Sequence, residues 1–323
     1  MIRSLLKTIR DRTPAGSVAA RILRAGRQVG LPVPHRLDRH LPFRGVVNAT
    51  AGRDFTGTAP VRFRMQSHGH VIENELFWVG LNTRERTSHQ VWMRLASAGT
   101  AGFHASVPGP LVLDVGANTG LFSLTAAAAA PGSQVVAFEP LSRIAKLCRQ
   151  NVALNPEATI DVVEAAVGDE VGEVTIHDPG GSQPSSASLV SGFIDGPTQP
   201  VRVPVVTVDR VVSERMTNGV SPEVALVKVD VEGFEAAVFR GMGQTIATHR
   251  PSIVAEVLDR DSEVLREIAK IEAQDYRTFD LAADGPIEMT GRFEVPRDRN
   301  LLLIPTERVA AIADLLPNET TTT

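Results

Sequence analysis

The sequence predicts an α/β protein built on a mostly parallel sheet buried on both faces, and three observations predict it. Short, almost wholly apolar runs recur, LVLDV at 111–115, QVVAFE at 134–139, VALVKVD at 224–230 and SIVAEVL at 252–258. Strands covered on both sides read this way, whereas half-exposed strands alternate. Helix-forming segments of 10 to 15 residues separate the runs, LFSLTAAAAA after the first and SRIAKLCRQNVAL after the second, which is the βαβ pattern. Composition agrees: 43% of the 323 residues are hydrophobic and 22% charged, enough for one large domain with attachments and a core that needs no staples.

In chain order, residues 1–30 read as basic amphipathic helix, with Leu5, Leu6 and Ile9 against Arg3, Lys7 and Arg10. Such a stretch either packs on the main domain or lies on an anionic membrane face. LPVPHRLDRHLPF is a connector, VRFRM from Val61 alternates as a strand, and NELFWVG and ERTSHQVWMRLASAG are helical. IDVVEAAVG at 160–168 is expected as the third strand and EVTIH at 173–177 as an edge strand, followed by a serine-rich loop at 179–192. VRVPVVTV is a strand whose Pro204 favours an edge or bulge, and Asp209 is expected to cap a short helix. FEAAVFRGMGQTIATH is expected as one helix, SEVLREIAKIEAQ as another, YRTFDLA as a strand and NLLLIP at 300–305 as a last strand returning antiparallel, about seven strands in all. The expected division is 1–60, basic extension and connector; 61–109, lead-in and substrate cap; 110–310, catalytic domain; and 311–323, tail.

Charge and cysteine usage narrow the function. Residues 1–110 hold 16 basic and 6 acidic side chains and the rest 17 and 31, so a formal net of -4 hides a basic front and an acidic body. The basic part suits an anionic membrane, a phosphate-bearing substrate or the protein's own acidic body. Nucleic acid is disfavoured, since only 5% of residues are aromatic and no nucleic-acid module follows. The one cysteine, Cys148, cannot form an internal disulfide. With no apolar run near the roughly 20 residues a membrane span needs, the expected location is the cytoplasm, with peripheral contact at the inner membrane face through the N-terminus. Oligomeric state is left open.

The motif with most chemistry is Asp114-Val-Gly116-Ala117-Asn118-Thr119-Gly120, between the first buried strand and a helix. Small residues there allow a tight turn, and the helix start offers unpaired N–H groups. The spacing G-x-x-x-G lacks the middle glycine that brings a backbone against a pyrophosphate, which favours a cofactor without one and weakens a nicotinamide dehydrogenase reading. Glu139 ends the second strand, 25 residues after Asp114, where a carboxylate can accept both hydroxyls of an adenosine ribose, and Pro140 stops the strand there. Ala165 and Ala166 end the third. Asp230 and Glu232 in VKVDVEG stand at the carboxyl edge of the sheet, placed to orient a hydroxyl or take its proton, and Lys228 alternates with Asp230. Glu256 in IVAEV is the third candidate, a charge in an apolar run that asks for a partner. His68 and His70 beside Glu73 and Glu75 resemble a metal cluster only weakly, and no metal site is expected. H-E-x-x-H, G-x-S-x-G and G-x-x-x-x-G-K-[ST] are all absent.

Taken together, LVLDVGANTGLFSL, VVAFEP, VEAAVGD, VPVVTVDRVV, VALVKVDVEGFEAAVFRGM, RPSIVAEV and NLLLIP resemble the FkbM-family methyltransferases of the class I S-adenosylmethionine-dependent superfamily, over about residues 73–305. The resemblance implies a Rossmann-like, mostly parallel seven-stranded sheet with a reversed last strand and helices on both faces. It implies S-adenosylmethionine as cofactor, with Asp114 and residues 116–120 at the methionine part, Glu139 at the ribose and Ala165 and Ala166 at the adenine. Asp230 and Glu232 would face the transfer site. The implied reaction is O-methylation of a hydroxyl on a sugar, glycoside, glycolipid or polyketide-type metabolite, free or carrier-linked. That scheme requires no metal; a catechol-type enzyme would instead use Asp230, Glu232 and Glu256 as ligands of a divalent ion. A non-catalytic binding protein on the same fold is the alternative from another class. The family often has an acidic residue shortly after the glycine matching Gly80, where this chain reads GLNTRE.

Overall fold

A computed structural model describes residues 20–26, 43–68, 70–83, 85–99, 109–180, 198–215, 222–257, 262–289 and 300–317. Residues 20–26 are helical. The rest of the basic stretch at 1–30, nearly all of the proline connector, the serine-rich segment past Gly180 and the extreme tail lie outside the described residues.

The chain begins with β1 (Gly45–Ala51), a short helix α1 (Arg53–Thr56), β2 (Val61–Ser67), α2 (Val71–Val79) and α3 (Arg86–Gly99). The alternating unit follows as β3 (Leu111–Val115), α4 (Leu121–Ala129), β4 (Gln134–Phe138), α5 (Ser142–Ala153) and β5 (Thr159–Val163). Next come β6 (Ala166–Val167), β7 (Gly172–Asp178), β8 (Gln199–Val206), α6 (Val208–Glu214), β9 (Val224–Val229), α7 (Glu235–Arg240) and α8 (Gly243–His249). The chain finishes with β10 (Ser252–Glu256), α9 (Ser262–Glu272), β11 (Tyr276–Ala282), β12 (Gly285–Glu288), β13 (Asn300–Pro305) and a 3-10 helix, Thr306–Leu315.

The main sheet has the order β12-β11-β13-β10-β9-β3-β4-β5. Strands β5, β4, β3, β9 and β10 run parallel, and β13 is antiparallel to both β10 and β11. The seven strands from β11 to β5 thus contain one reversed member, as expected, and β12 adds an eighth by pairing antiparallel with β11. GPIE is not legible as a strand because glycine and proline disfavour one, and Pro286 is tolerated only because β12 is an edge. Along β3, Leu111, Leu113 and Val115 join one core cluster, with Val136, Val227, Ile253 and Phe239, while Val112 joins the other, with Leu124, Leu226, Val254 and Trp92. One strand therefore feeds two cores.

Three expectations are corrected. IDVVEAAVG is not one strand: β5 stops at Val163, and Ala166 and Val167 pair with β8 in a separate sheet of order β6-β8-β7. EVTIH is an edge strand as expected, and the sheet it edges is this smaller one. The helix expected over FEAAVFRGMGQTIATH is two, parted at Gly241, where a Cβ would stand 1.9 Å from the Gly168 carbonyl oxygen. Asp209 does not cap its own helix. Thr207 does, its hydroxyl accepting the Arg210 N–H at 3.2 Å, while the Asp209 carboxylate accepts the N–H groups of Gln244 (3.0 Å) and Thr245 (2.8 Å) at the start of α8. Pro204 does sit beside an open edge, since β6 meets β8 only at Val205 and Val206.

β1 is a strand the sequence does not announce, its inward positions Val47, Ala49 and Ala51 being small. It pairs with β2 along its length, and the far edge of β2 is satisfied by Asn151 on α5 and Asn155 just past its end rather than by another strand. Asn155 Oδ1 accepts the Arg64 N–H at 2.8 Å and its Nδ2 donates to the Arg64 carbonyl at 2.7 Å; Asn151 Oδ1 accepts the Gln66 N–H at 2.7 Å. The two amides cover an edge that would otherwise leave unpaired backbone groups.

Candidate active site

Strand order reverses between β3 and β9: the chain moves outward from β3 through β4 and β5, then returns to pair β9 with β3. In open parallel sheets the crevice at such a switch point, outside the carboxyl ends of the strands, is where ligands bind. A cavity of about 420 Å³ opens there, within the range of small-molecule sites.

The loop after β3 is fixed by its backbone. Gly116 and Ala117 donate to the Phe138 carbonyl at 3.0 and 2.9 Å, and Asp230 N donates to the Val115 carbonyl at 3.0 Å. Gly116 has φ +83°, and a Cβ there would lie 1.8 Å from the Asp230 carbonyl oxygen, so only glycine allows the ends of β3 and β9 to close up. Asn118, at φ 52°, folds its side chain onto the Thr119 N–H (2.8 Å). Behind the loop, Asn151 Nδ2 donates to the Thr119 carbonyl at 2.7 Å.

Glu139 is buried at the end of β4, its Oε2 accepting the Asn118 N–H (3.1 Å) and its Oε1 the Leu141 N–H (2.9 Å). Each oxygen keeps acceptor capacity towards the cavity it lines. Burial raises its pKa to about 7 despite those two bonds. Asp114 accepts the Ser123 hydroxyl at 2.6 Å, but its buried Oδ1 has no partner among the described residues. Of the expected cofactor residues, Gly116, Ala117, Asn118, Thr119, Glu139, Pro140, Ala165 and Ala166 line the cavity, whereas Asp114 and Gly120 are not in its wall. A cavity-lining turn of small residues and a ribose-competent carboxylate beside it fit an adenosyl amino-acid cofactor.

Asp230, Glu232 and Glu256 all border the same cavity. Asp114 and Lys228 are directly opposed across β3 and β9, and Lys228 opposes Val254, two residues before Glu256 on the same face. Lys228 Nζ donates to Asp230 Oδ2 at 2.6 Å and stands 4.5 Å from the centre of the Phe122 ring. Burial opposes charge on both partners. Even so, Asp230 and Asp114 raise Lys228 to about 12, and Lys228 holds Asp230 below the usual carboxylate range. Glu256 moves the other way: burial first, then the charge of Asp230, raises it to about 9, which favours its protonated form at neutral pH. Glu232 occupies the turn after β9 at φ 53°.

Several wall residues are not singled out by the sequence. Glu85 and His89, successive turns of one helix face, both line the cavity. His89 stacks on Phe122 with ring centres 4.3 Å apart, and burial, then Lys228, lowers its pKa to about 3, so it is a neutral imidazole. Glu85 stands five residues after Gly80, at the end of GLNTRE. His177 is not in the wall, although its neighbour Ile176 is. Among the described residues, no group of three or more His, Cys, Asp and Glu could hold a metal ion, and no helix is long and apolar enough to cross a membrane.

A mostly parallel sheet with one reversed strand, a switch-point cavity and an acidic residue closing the second strand beside a loop without a pyrophosphate cradle are the features of the class I methyltransferase fold. The model of the methyltransferase FkbM domain matches residues 114–278, just over half of the chain, and the chain belongs to that family. It is 28% identical over 151 residues to the 2-O-methyltransferase NoeI of Sinorhizobium fredii, covering 44% of this chain and 61% of that protein. It is 27% identical over 202 residues to the 31-O-demethyl-FK506 methyltransferase FkbM of Streptomyces tacrolimicus, covering 52% of this chain and 73% of that one. The crystal structure of a methyltransferase FkbM from Methylobacillus flagellatus aligns with 64% of this chain and 47% of its own at 17% identity, with a TM-score of 0.37. The chain thus spans about three fifths of the length of the first of these relatives.

Proposed function

We propose that the protein is an O-methyltransferase acting on a hydroxyl of a sugar, glycoside, glycolipid or polyketide-type metabolite, with residues 110–310 as its catalytic domain. The observation that supports this reading is the Lys228–Asp230–Glu256 group, which borders the cavity at the ends of β9 and β10. S-adenosylmethionine supplies an electrophilic methyl group on a sulfonium. Asp114 and residues 116–120 hold its methionine part, Glu139 the ribose hydroxyls, and Ala165 and Ala166 flank the adenine. Asp230, kept ionised by Lys228, orients the acceptor hydroxyl and takes its proton as charge develops on the oxygen. Glu256, already protonated, steadies Asp230, and Glu232 borders the acceptor.

The relatives, a 2-O-methyltransferase and a 31-O-demethyl-FK506 methyltransferase, support hydroxyl acceptors. A divalent-ion mechanism is less well supported, because a cation on Asp230 would have to share that carboxylate with the Lys228 ammonium at 2.6 Å. Titration calorimetry of the cofactor-stripped protein with S-adenosylhomocysteine, and with NADH in parallel, tests the cofactor. Micromolar binding of S-adenosylhomocysteine alone supports the reading, and NADH binding alone overturns it. Screening glycosides and macrolide hydroxyls for S-adenosylhomocysteine release, with and without EDTA, then tests the acceptor class and the absence of a metal requirement.

A further inference from the structure

A second cavity, of about 330 Å³, adjoins the first. Gly80 and Leu81, in the turn that follows α2, line both. Gly80 holds φ 66° and ψ -140°, yet a Cβ there would meet nothing within 4 Å. Glycine is therefore needed for the backbone conformation rather than for want of room, and the space beside it is open where the two cavities meet. With a cofactor in the first cavity, an acceptor larger than its reacting group needs room beyond it, and the second cavity offers that room.

The wall of the second cavity combines the buried rings of Phe55 and Trp78 with Thr50, Asn82, Asp54 and Arg24. Asp54 is already engaged: its Oδ2 accepts a hydrogen bond from the Arg86 guanidinium at 2.7 Å, and Arg86 donates to Asn82 Oδ1 at 2.9 Å. Arg24, on the helix at residues 20–26, is half-buried, and its guanidinium carbon stands 4.7 Å from the centre of the Phe77 ring. Among the described residues no carboxylate pairs with it, and burial alone acts on its pKa, lowering it. Since Asp54 and Arg86 balance each other, the cavity keeps one positive charge without a counter-charge. A partly desolvated cation held in this way regains its lost solvation only from an anion. Arginine offers a planar fork of N–H donors that matches a carboxylate or a phosphate, and an aromatic face beneath it limits how the fork can turn.

We propose that the second cavity is the outer subsite of the acceptor, in which Arg24 binds an acidic group, a carboxylate or a phosphate, carried by the molecule to be methylated. Phe55 and Trp78 supply apolar area for the body of that molecule, and Asn82 a polar contact that fixes its orientation. The inference rests on the methyltransferase reading and narrows its acceptor to an anion.

The test is a set of NMR binding titrations on the full chain saturated with S-adenosylhomocysteine. The probes are glucose 1-phosphate, glucuronate, methyl glucoside and inorganic phosphate. Wild type is expected to bind each acidic sugar at least about tenfold more tightly than methyl glucoside, the scale of one charge-assisted contact. Arg24→Gln should bring that ratio to about one, and Arg24→Lys should keep part of it, which loss of packing on Phe77 alone would not produce. Asp54→Asn, which removes the cavity's own carboxylate, should widen the ratio. No preference in wild type, including failure to bind either acidic sugar, overturns the proposal, as does an undiminished preference in Arg24→Gln. Should that variant not fold, an unchanged ratio in Asp54→Asn overturns it. Inorganic phosphate bound as tightly as glucose 1-phosphate would mark a plain anion site and overturn the acceptor subsite. Wild type that binds no S-adenosylhomocysteine overturns the methyltransferase reading and this inference with it, whereas cofactor binding without the acidic preference overturns the inference alone.

Discussion

At Gly116 an added methyl would meet the Asp230 carbonyl at 1.8 Å, so Gly116→Ala must part β3 from β9 at the wall of the cavity. The expected result is a lowered melting temperature and at least about a hundredfold weaker S-adenosylhomocysteine binding, since an incompatible left-handed position and a steric clash act together. Lys228→Met tests the charge pairing. It removes the cation that holds Asp230 down, so the acidic limb of the pH–rate profile should move to higher pH; an unmoved limb would show that Asp230 is not the group titrating. The same variant strips the half-buried Asp230 carboxylate of its ion-pair partner and should cost about 1–3 kcal/mol of stability by denaturant titration. The motif residues from Gly116 to Thr119, with Glu139, Asp230 and Glu256, were legible because chemistry needed those types at strand ends. Glu85 and His89 were not: a carboxylate and a histidine one helical turn apart reveal a place in the wall only through what surrounds them.

Among elements, the apolar runs at β3, β4, β9 and β10 could be read directly because strands buried on both faces carry an uninterrupted signal. β1, β6 and β12 escaped that reading, each being short, small-residue or at an edge, and so held more by its neighbours than by its own propensity. The split between α7 and α8 has a similar origin. Helix-forming side chains run through FEAAVFRGMGQTIATH, but tertiary contact at Gly168 leaves no room for a Cβ at Gly241. Asp209→Ala should remove the cap of α8 and cost about 1 kcal/mol, with Asp209→Asn retaining much of it; equal stability of the alanine variant would show that water replaces the cap. Leu113→Ala, in the wholly buried middle of β3, should cost about 2–5 kcal/mol.

For the molecule as a whole, stability and pH are linked through Glu139 and Glu73, both raised to about 7 by burial. A carboxyl raised on folding favours the folded state below its unfolded value and loses that advantage as pH rises through the folded one. The cofactor-free protein should therefore weaken between about pH 4.5 and 7, by at most roughly 3 kcal/mol per group. Melting curves across that window would check it, with a flat profile as the contrary result. S-adenosylhomocysteine at a hundred times its dissociation constant should add about 2.7 kcal/mol. The amide of Asn151 has a wider reach than its size suggests, since it grips Gln66 of the leading hairpin with one atom and Thr119 of the cofactor loop with the other. Two stretches of chain with no contiguous sequence thereby share one latch. In hydrogen-exchange measurements they are expected to open as a single cooperative unit, and a ligand that quiets the loop should slow exchange in the hairpin it never touches.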